Sequence, residues 1–212
     1  LIHDVCIDYR ENVPIIFTYT KKVVVSHNEL YNFPYSGINI GYGWGANDAG
    51  GSTEYQNRGL YKYQPKFTTA TTAQDNQVVA NNLHDGMKSM NDGGCMYSLS
   101  ANPGTVVSQN YCKGPWPIGV GYYADEGSRY LTITKNVFTG WGTWGHANAN
   151  ANNNTGDLTV TSNWVAGGSN WAGKNNTVTG NITISGSLPA DAQAVVNAAG
   201  LEAAYTDIKT SP

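Results

Sequence analysis

The sequence predicts an all-β parallel solenoid with a short helix at its C-terminal end. Three observations carry that prediction. A phrase of one β-branched residue, two variable residues and Asn recurs along the chain. It reads VSHNEL (Val25–Leu30), VANNL (Val79–Leu83), VSQN (Val107–Asn110), ITKNV (Ile133–Val137), VTSNWV (Val160–Val165) and VTGNI (Val178–Ile182). Its asparagines, at 28, 82, 110, 136, 163 and 181, are separated by 54, 28, 26, 27 and 18 residues. Three consecutive steps near 27 are the period of a unit that buries its apolar face only by stacking on its neighbours. Finally, no Leu/Ala-rich amphipathic stretch precedes residue 188, so helical repeats have nothing to be built from.

The elements follow in order. The β-branched positions fit the half-buried face of a strand. The recurring Asn fits a corner, where its amide can donate to and accept from the Asn of the next coil. The first step of 54 is twice 27 and leaves room for a further coil or a long insertion. Divided by a coil of about 27, the 212 residues give seven to eight turns. LIHDVCI at Leu1–Ile7 already reads as strand, so the expectation is a piece of a longer protein that starts partway through a coil. Coils are expected over 1–186, with 43–73, rich in Gly, Tyr and Trp, forming a long loop over one face. HANANANNN (His146–Asn154) alternates Ala with Asn and predicts a strand with Asn148, Asn150 and Asn152 outward. Pro189–Gly200 has Pro at a first-turn position, Asp191 early and Gly at the end, the punctuation of a short helix. The segment 187–212 is expected to cap the strand edges of the last coil.

Composition narrows the function. Charged residues are 13% of the chain, against about 25% in an average domain, and the net charge is −3. Such a chain lacks the clustered Lys/Arg that nucleic-acid binding requires. No apolar run approaches the roughly 20 residues that cross a bilayer. Polarity carried by Asn, Thr, Ser and Gly is the habit of extracellular β-rich proteins, so secretion is expected. Cys6, Cys95 and Cys112 allow one disulfide with a free thiol, or three thiols. No C-x-x-C is present to suggest thiolate zinc.

Several longer stretches point to a family. PYSGINIGYGWG (Pro34–Gly45), NDGGCMYSL (Asn91–Leu99), YYADEGSRYLTITKNVF (Tyr122–Phe138) and LPADAQAVVNAAGLEAAY (Leu188–Tyr205) together resemble secreted right-handed parallel β-helix repeat proteins of bacteria and fungi. These include β-helix glycoside hydrolases of α-L-fucosidase, xylanase and β-xylosidase types. The resemblance implies a pectate-lyase-like, right-handed solenoid with a carbohydrate substrate and acidic catalysts, without fixing the role of each. It also implies the C-terminal half of a longer member, completed by its own N-terminal part or by a second chain.

Glycosidases use two carboxylates, about 5–5.5 Å apart when retaining and about 6.5–9.5 Å when inverting. Equivalent positions on adjacent coils lie about 4.8 Å apart, so carboxylates at equivalent positions are the natural candidates. Asp92–Tyr97 (DGGCMY) aligns without gaps on Asp125–Tyr130 (DEGSRY), offset by 33. Asp92, Asp125 and Glu126 are therefore the candidate catalytic residues, although Asp-Gly and Asp-Glu-Gly are also ordinary turn formers. Glu126 is expected on the face opposite Asp125 if the segment is extended. Tyr42, Trp44, Trp116, Trp141 and Trp144 lie in Gly-rich segments and could stack on sugar rings. His84 beside Asp85, His146 and Arg58 complete the candidate substrate-binding set. The reading is a glycoside hydrolase without cofactor. The alternatives are a polysaccharide lyase or epimerase, the one setting in which calcium would be called for, and a non-catalytic carbohydrate-binding solenoid.

Overall fold

A computed structural model describes residues 1–58, 66–70, 73–150 and 152–210. Every strand pairing is parallel, and the strands fall into three sheets that form a β-solenoid. Sheet A has seven strands, in spatial order Ile2–His3, Glu29–Tyr31, Asn82–His84, Tyr111–Lys113, Val137–Thr139, Trp164–Val165 and Ile182–Thr183. Sheet B has six: Ile15–Phe17, Ile38–Ile40, Gly94–Ser98, Val120–Ala124, Thr143–Ala147 and Gly168–Trp171. Sheet C has six: Val24–Ser26, Gln77–Val79, Val106–Ser108, Thr132–Thr134, Thr159–Thr161 and Thr177–Thr179. Each coil runs through sheets B, C and A in turn. Val24–Ser26 pairs directly with Gln77–Val79, so the long first step is one coil with an insertion. That insertion and the C-terminal tail account for the difference between these six or seven strands per sheet and the seven to eight turns expected from length.

Sheet C shows why its strands stop after three residues. The residue before each corner Asn is left-handed: His27, Ala80, Gln109, Lys135, Ser162 and Gly180, with φ from 54 to 65°. The residue two before each strand is left-handed too: Lys22, Asp75, Gly104, Tyr130, Asp157 and Asn175. A left-handed residue cannot continue a strand, so each segment is cut to length at both ends. The corner ladder joins Asn28, Asn81, Asn110, Asn136, Asn163 and Asn181. Its second member is Asn81, not the expected Asn82, which begins the following strand of sheet A. Each amide nitrogen donates to the next amide oxygen at 2.9–3.0 Å, and that oxygen also accepts the backbone N–H of the preceding Asn.

Register stacks the core. Val25, Val78, Val107, Ile133 and Val160 align in sheet C, and Leu30, Leu83, Cys112, Phe138 and Val165 in sheet A. All but the half-buried Val25 are buried. A disulfide between Cys95 and Cys112, Cα–Cα 6.1 Å, ties sheet B to sheet A across this core. Cys6 is a half-buried free thiol.

Two expected elements differ. The Ala/Asn alternation does not extend the strand, which ends at Ala147. Asn148 is drawn away to Asp125, and Asn150 accepts from the N–H of Asn152 at 2.8 Å in a turn. Ala151 lies outside the described residues. A helix does form, over Ala190–Ala198, but it does not cover the last coil. It packs on the strand Val137–Thr139 with Ala192 fully buried. The Gly200 N–H then donates to Ala80 O at 2.8 Å, and His27 Nδ1 donates to Gly200 O at 3.2 Å. The helix thus folds back along the flank, and Val178 and Ile182 of the last coil stay 43% and 48% exposed.

Candidate functional site

Sheet B carries a row of side chains related by register: Asn39, Tyr97, Tyr123, His146 and Asn170. Alternation along a strand sends Met96 and Tyr122 into the core and leaves this row on the outer face. Tyr97 and Tyr123 meet edge to face, 5.4 Å between centroids. His146 lies 5.2 Å from Tyr123, and Tyr35 lies 6.5 Å from Tyr97.

The two phenols reach crosswise to two carboxylates. The Tyr97 hydroxyl donates to Asp125 Oδ2. Asn148 Nδ2 donates to Asp125 Oδ1 at 2.8 Å, so both oxygens of this buried carboxylate are engaged. The Tyr123 hydroxyl donates to Asp92 Oδ1 at 3.0 Å, and the Tyr35 hydroxyl donates to the Asp92 carbonyl at 2.8 Å. Burial, followed by the nearby carboxylates, pushes Tyr35 up to about 12 and Tyr97 and Tyr123 far above the usual phenol range. These phenols therefore remain protonated donors.

The pairing corrects the expected register. Tyr97 lies beside Tyr123, an offset of 26, and not beside Tyr130. Asp92 precedes its strand while Asp125 follows the adjacent one. The two do not stack at one position but face each other through the tyrosine pair.

Glu126 comes from the turn after Asp125. That turn is closed by Ser128 N–H to Asp125 O at 2.9 Å and has Gly127 at φ +77°. Because the backbone is not extended there, strand alternation does not set the direction of Glu126. Its carboxyl is pushed above the usual range by burial, pulled down by a hydrogen bond with Tyr55, and pushed up again by Asp125 and Glu54.

Tyr55 belongs to the loop over sheet B, whose described part holds a 3-10 turn, Gly43–Gly45, and a short helix, Thr53–Arg58. Residues 59–65 and 71–72 of that loop lie outside the described residues. A Cβ on Gly127 would meet the backbone of Trp44 and Gly45 at 3.0 Å, so the loop and the turn that carries Glu126 touch main chain to main chain. This contact seats Trp44 beside Tyr55 (5.6 Å, nearly parallel) and Tyr42 (5.5 Å). The Arg58 guanidinium sits 4.4 Å over the Tyr55 ring and pairs with Glu54 at 2.5 Å. The loop is strapped down. Gly45 N–H donates to Ser100 Oγ at 2.5 Å, Ala101 N–H to Asp48 Oδ2 at 3.0 Å, and Arg129 Nη1 to Gly50 O at 3.2 Å. Arg129 is itself held by Asp157 through Nε at 3.0 Å and Nη2 at 2.7 Å.

The candidates divide accordingly. Asp92, Asp125, Glu126, Tyr42, Trp44, Arg58 and His146 gather on this face. Trp116, Trp141 and Trp144 do not, being core residues only 7%, 5% and 4% exposed. Their indoles pack on Phe33, Phe138, Trp171 and one another at 5.2–5.6 Å. Glycines here make room for rings: a Cβ on Gly145 would lie 2.2 Å from Trp171. His84 is on sheet A, stacked on Tyr31 at 5.0 Å and 3.5 Å from Glu29 Oε1, while Asp85 pairs with Lys88.

Tyr35, Tyr55, Tyr97, Tyr123 and Asn148 are site residues that motif reading passed over. The Asn110 to Asn136 step of 26 carries Tyr97 onto Tyr123 and was the available signal. Among the described residues no group of three or more His, Cys, Asp or Glu is placed to hold a metal ion, and no helix is long and apolar enough to cross a membrane.

No family model and no curated protein matches the chain. A solved structure named "Glycoside hydrolase" is similar to it, 22% identical with a TM-score of 0.53, over 92% of this chain. The match covers 25% of that structure's chain, so this chain spans about a quarter of its length and the likeness is one of fold.

Proposed function

We propose that the chain forms part of a secreted glycoside hydrolase acting on a polysaccharide or oligosaccharide. The observation that carries this reading is the meeting of Asp92, Asp125 and Glu126 on one sheet face, beneath the Tyr42–Trp44–Tyr55 platform. Glu126, with its carboxyl raised by burial, is the proton donor to the leaving oxygen. Asp92, exposed and bonded to one phenol, is the second carboxylate, serving as base or nucleophile. Asp125, with both oxygens engaged, positions Tyr97 and the turn that presents Glu126. The aromatic platform offers ring faces to the C–H faces of a sugar.

Support for the assignment comes from the fold likeness to a protein named glycoside hydrolase. The buried disulfide supports an oxidising, extracellular setting. The α-L-fucosidase, xylanase and β-xylosidase types remain the proposed relatives. In this reading the chain is the C-terminal half of a longer polypeptide, whose N-terminal part or a second chain completes the groove. No cofactor is called for. The lyase or epimerase alternative, with calcium, needs a free basic residue, and the arginines at this face are both ion-paired.

The test is hydrolysis of a panel of aryl glycosides and polysaccharides by the full-length parent. Glu126→Gln and Asp92→Asn should each lower kcat by about 10²–10⁴. An activity that neither change lowers sinks the site. A parent that binds these sugars without hydrolysing any of them supports the non-catalytic solenoid instead.

A further inference from the structure

One side chain on the outer face of sheet B is left without a partner. Asn39 heads the row that runs through Tyr97, Tyr123 and His146 to Asn170, with Ile16 on its other side. Its strand neighbours Ile38 and Ile40 turn inward and are fully buried, so alternation aims Asn39 outward. It is nonetheless only 8% exposed. Among the described residues its buried Oδ1 accepts no hydrogen bond, and its Nδ2 donates none. Asn82 and Asn102 also carry an unpaired buried oxygen. Asn82, however, lies on sheet A against Gly200, and the Asn102 nitrogen donates to Leu99 O at 3.0 Å and Ser100 O at 2.8 Å.

A buried amide that pairs with nothing weakens a fold, and native structures keep few of them. A covered strand position is better filled by Val or Ile. The nearby donors cannot relieve Asn39, because the hydroxyls of Tyr35, Tyr97 and Tyr123 are already given to Asp92 and Asp125. Asn170, at the far end of the row, is exposed and finds its partners in water. Asn39 stands one strand, about 4.8 Å, from Tyr97 and two from Tyr123, to one side of the phenol pair that holds the two aspartates. A ligand lying across these strands would bring the missing donor. Charge narrows its class. The face carries Asp92, Asp125 and Glu126, and its two arginines are paired with Glu54 and Asp157. An acidic sugar meets like charge here, whereas a neutral hydroxyl can donate to an amide oxygen without opposition.

We propose that Asn39 is a substrate-binding residue whose amide oxygen accepts a hydroxyl of an uncharged sugar, beside the sugar held at the carboxylates. This rests on the hydrolase reading only for the site; binding is measured apart from hydrolysis, so the two can fail separately.

The test is calorimetric titration of the full-length protein, carrying Glu126→Gln so that bound sugar is not turned over. The probes are xylohexaose, cellohexaose and fucosyllactose, with hexagalacturonate for contrast. At least one neutral probe should bind, and more tightly than hexagalacturonate. Asn39→Leu and Asn39→Val should each weaken that binding about 10-fold to 100-fold, because the sugar hydroxyl is then buried unpaired. Both should melt at the same temperature as the parent or higher, because neither strands a partner. A purely structural asparagine would give the reverse, lower melting with unchanged affinity. Affinity unchanged in both variants, lower melting in both, tighter binding of hexagalacturonate, or no binding of any neutral probe would each overturn the proposal. Binding lost in the Asn39 variants, together with no hydrolysis of the same sugars by the protein with Glu126 intact, would support Asn39 and overturn the hydrolase reading alone.

Discussion

A single hydroxyl sets the working range of the proposed acid. Burial raises the Glu126 carboxyl above its usual range, while the Tyr55 hydrogen bond favours its charged form and opposes that shift. Removing the hydroxyl in Tyr55→Phe leaves burial and the Asp125 and Glu54 charges opposed only by the smaller pull of Arg58. The carboxyl should then titrate at a higher pH. Because the acid must be protonated to act, the alkaline limb of kcat/KM should move to higher pH, with the Trp44 stack kept by the phenyl ring. A limb that moves down or stays still would show that Tyr55 does not touch the acting group. The linked effect on stability has the same sign. The folded state binds this proton more tightly than the unfolded one, so the contribution of Glu126 is full at low pH and is lost as pH rises through its raised range.

At the scale of the element, the Asn corner is the unit that holds coil to coil. Asn136 is fully buried, and its amide donates to Val107 O at 2.9 Å, Thr134 O at 3.2 Å and Asn163 Oδ1 at 3.0 Å. Its oxygen accepts both nitrogens of Asn110. Asn136→Ala leaves several of these groups buried and unpaired, at about 1–3 kcal/mol each, so a loss of about 3–5 kcal/mol is expected. Asn28, first in the ladder and half-buried, donates to Ser26 O and Asn81 Oδ1, and Asn28→Ala should cost about 1 kcal/mol. Urea midpoints measure both, and equal losses would refute a cooperative ladder.

The ladder was also the most legible part of the sequence, because one residue type recurs at one spacing. It slipped by one position where Val78-Val79 and Asn81-Asn82 offer the same pattern twice. The tyrosine pair was legible from the same spacing once register, rather than the Asp-Gly words, is followed. Other features depend on contacts distant in sequence. The Gly45–Gly127 approach, the strap from Asn154 to Gly51 O and the return of Gly200 to His27, 173 residues away, leave no local pattern to read. The buried indoles misled for a related reason, since glycine beside an aromatic ring marks either an exposed platform or a tight fit.

For the whole molecule, stability is built coil by coil, since each strand pairs mainly with the coils above and below. The Cys95–Cys112 disulfide joins two sheets of one middle coil and closes a short loop, 17 residues apart in sequence. Constraining a loop of that length in the unfolded chain is worth about 3 kcal/mol. The double change of Cys95 and Cys112 to alanine should therefore lower the unfolding free energy, read from denaturant titration, by about that amount, plus a cavity contribution from two fully buried sites. Where protection is lost first is the sharper test. In a stacked array the defect should open locally, so amide exchange should quicken first in Gly94–Ser98 and Tyr111–Lys113 and their pairing partners, and later at Val178 and the C-terminal helix. Tyr97 lies in the first of those strands, so its bond to Asp125 should loosen together with the proposed activity, well before global unfolding. Exchange that rises evenly along the chain, or a midpoint that does not move, would show that the solenoid unfolds as one cooperative body and that the disulfide only decorates it.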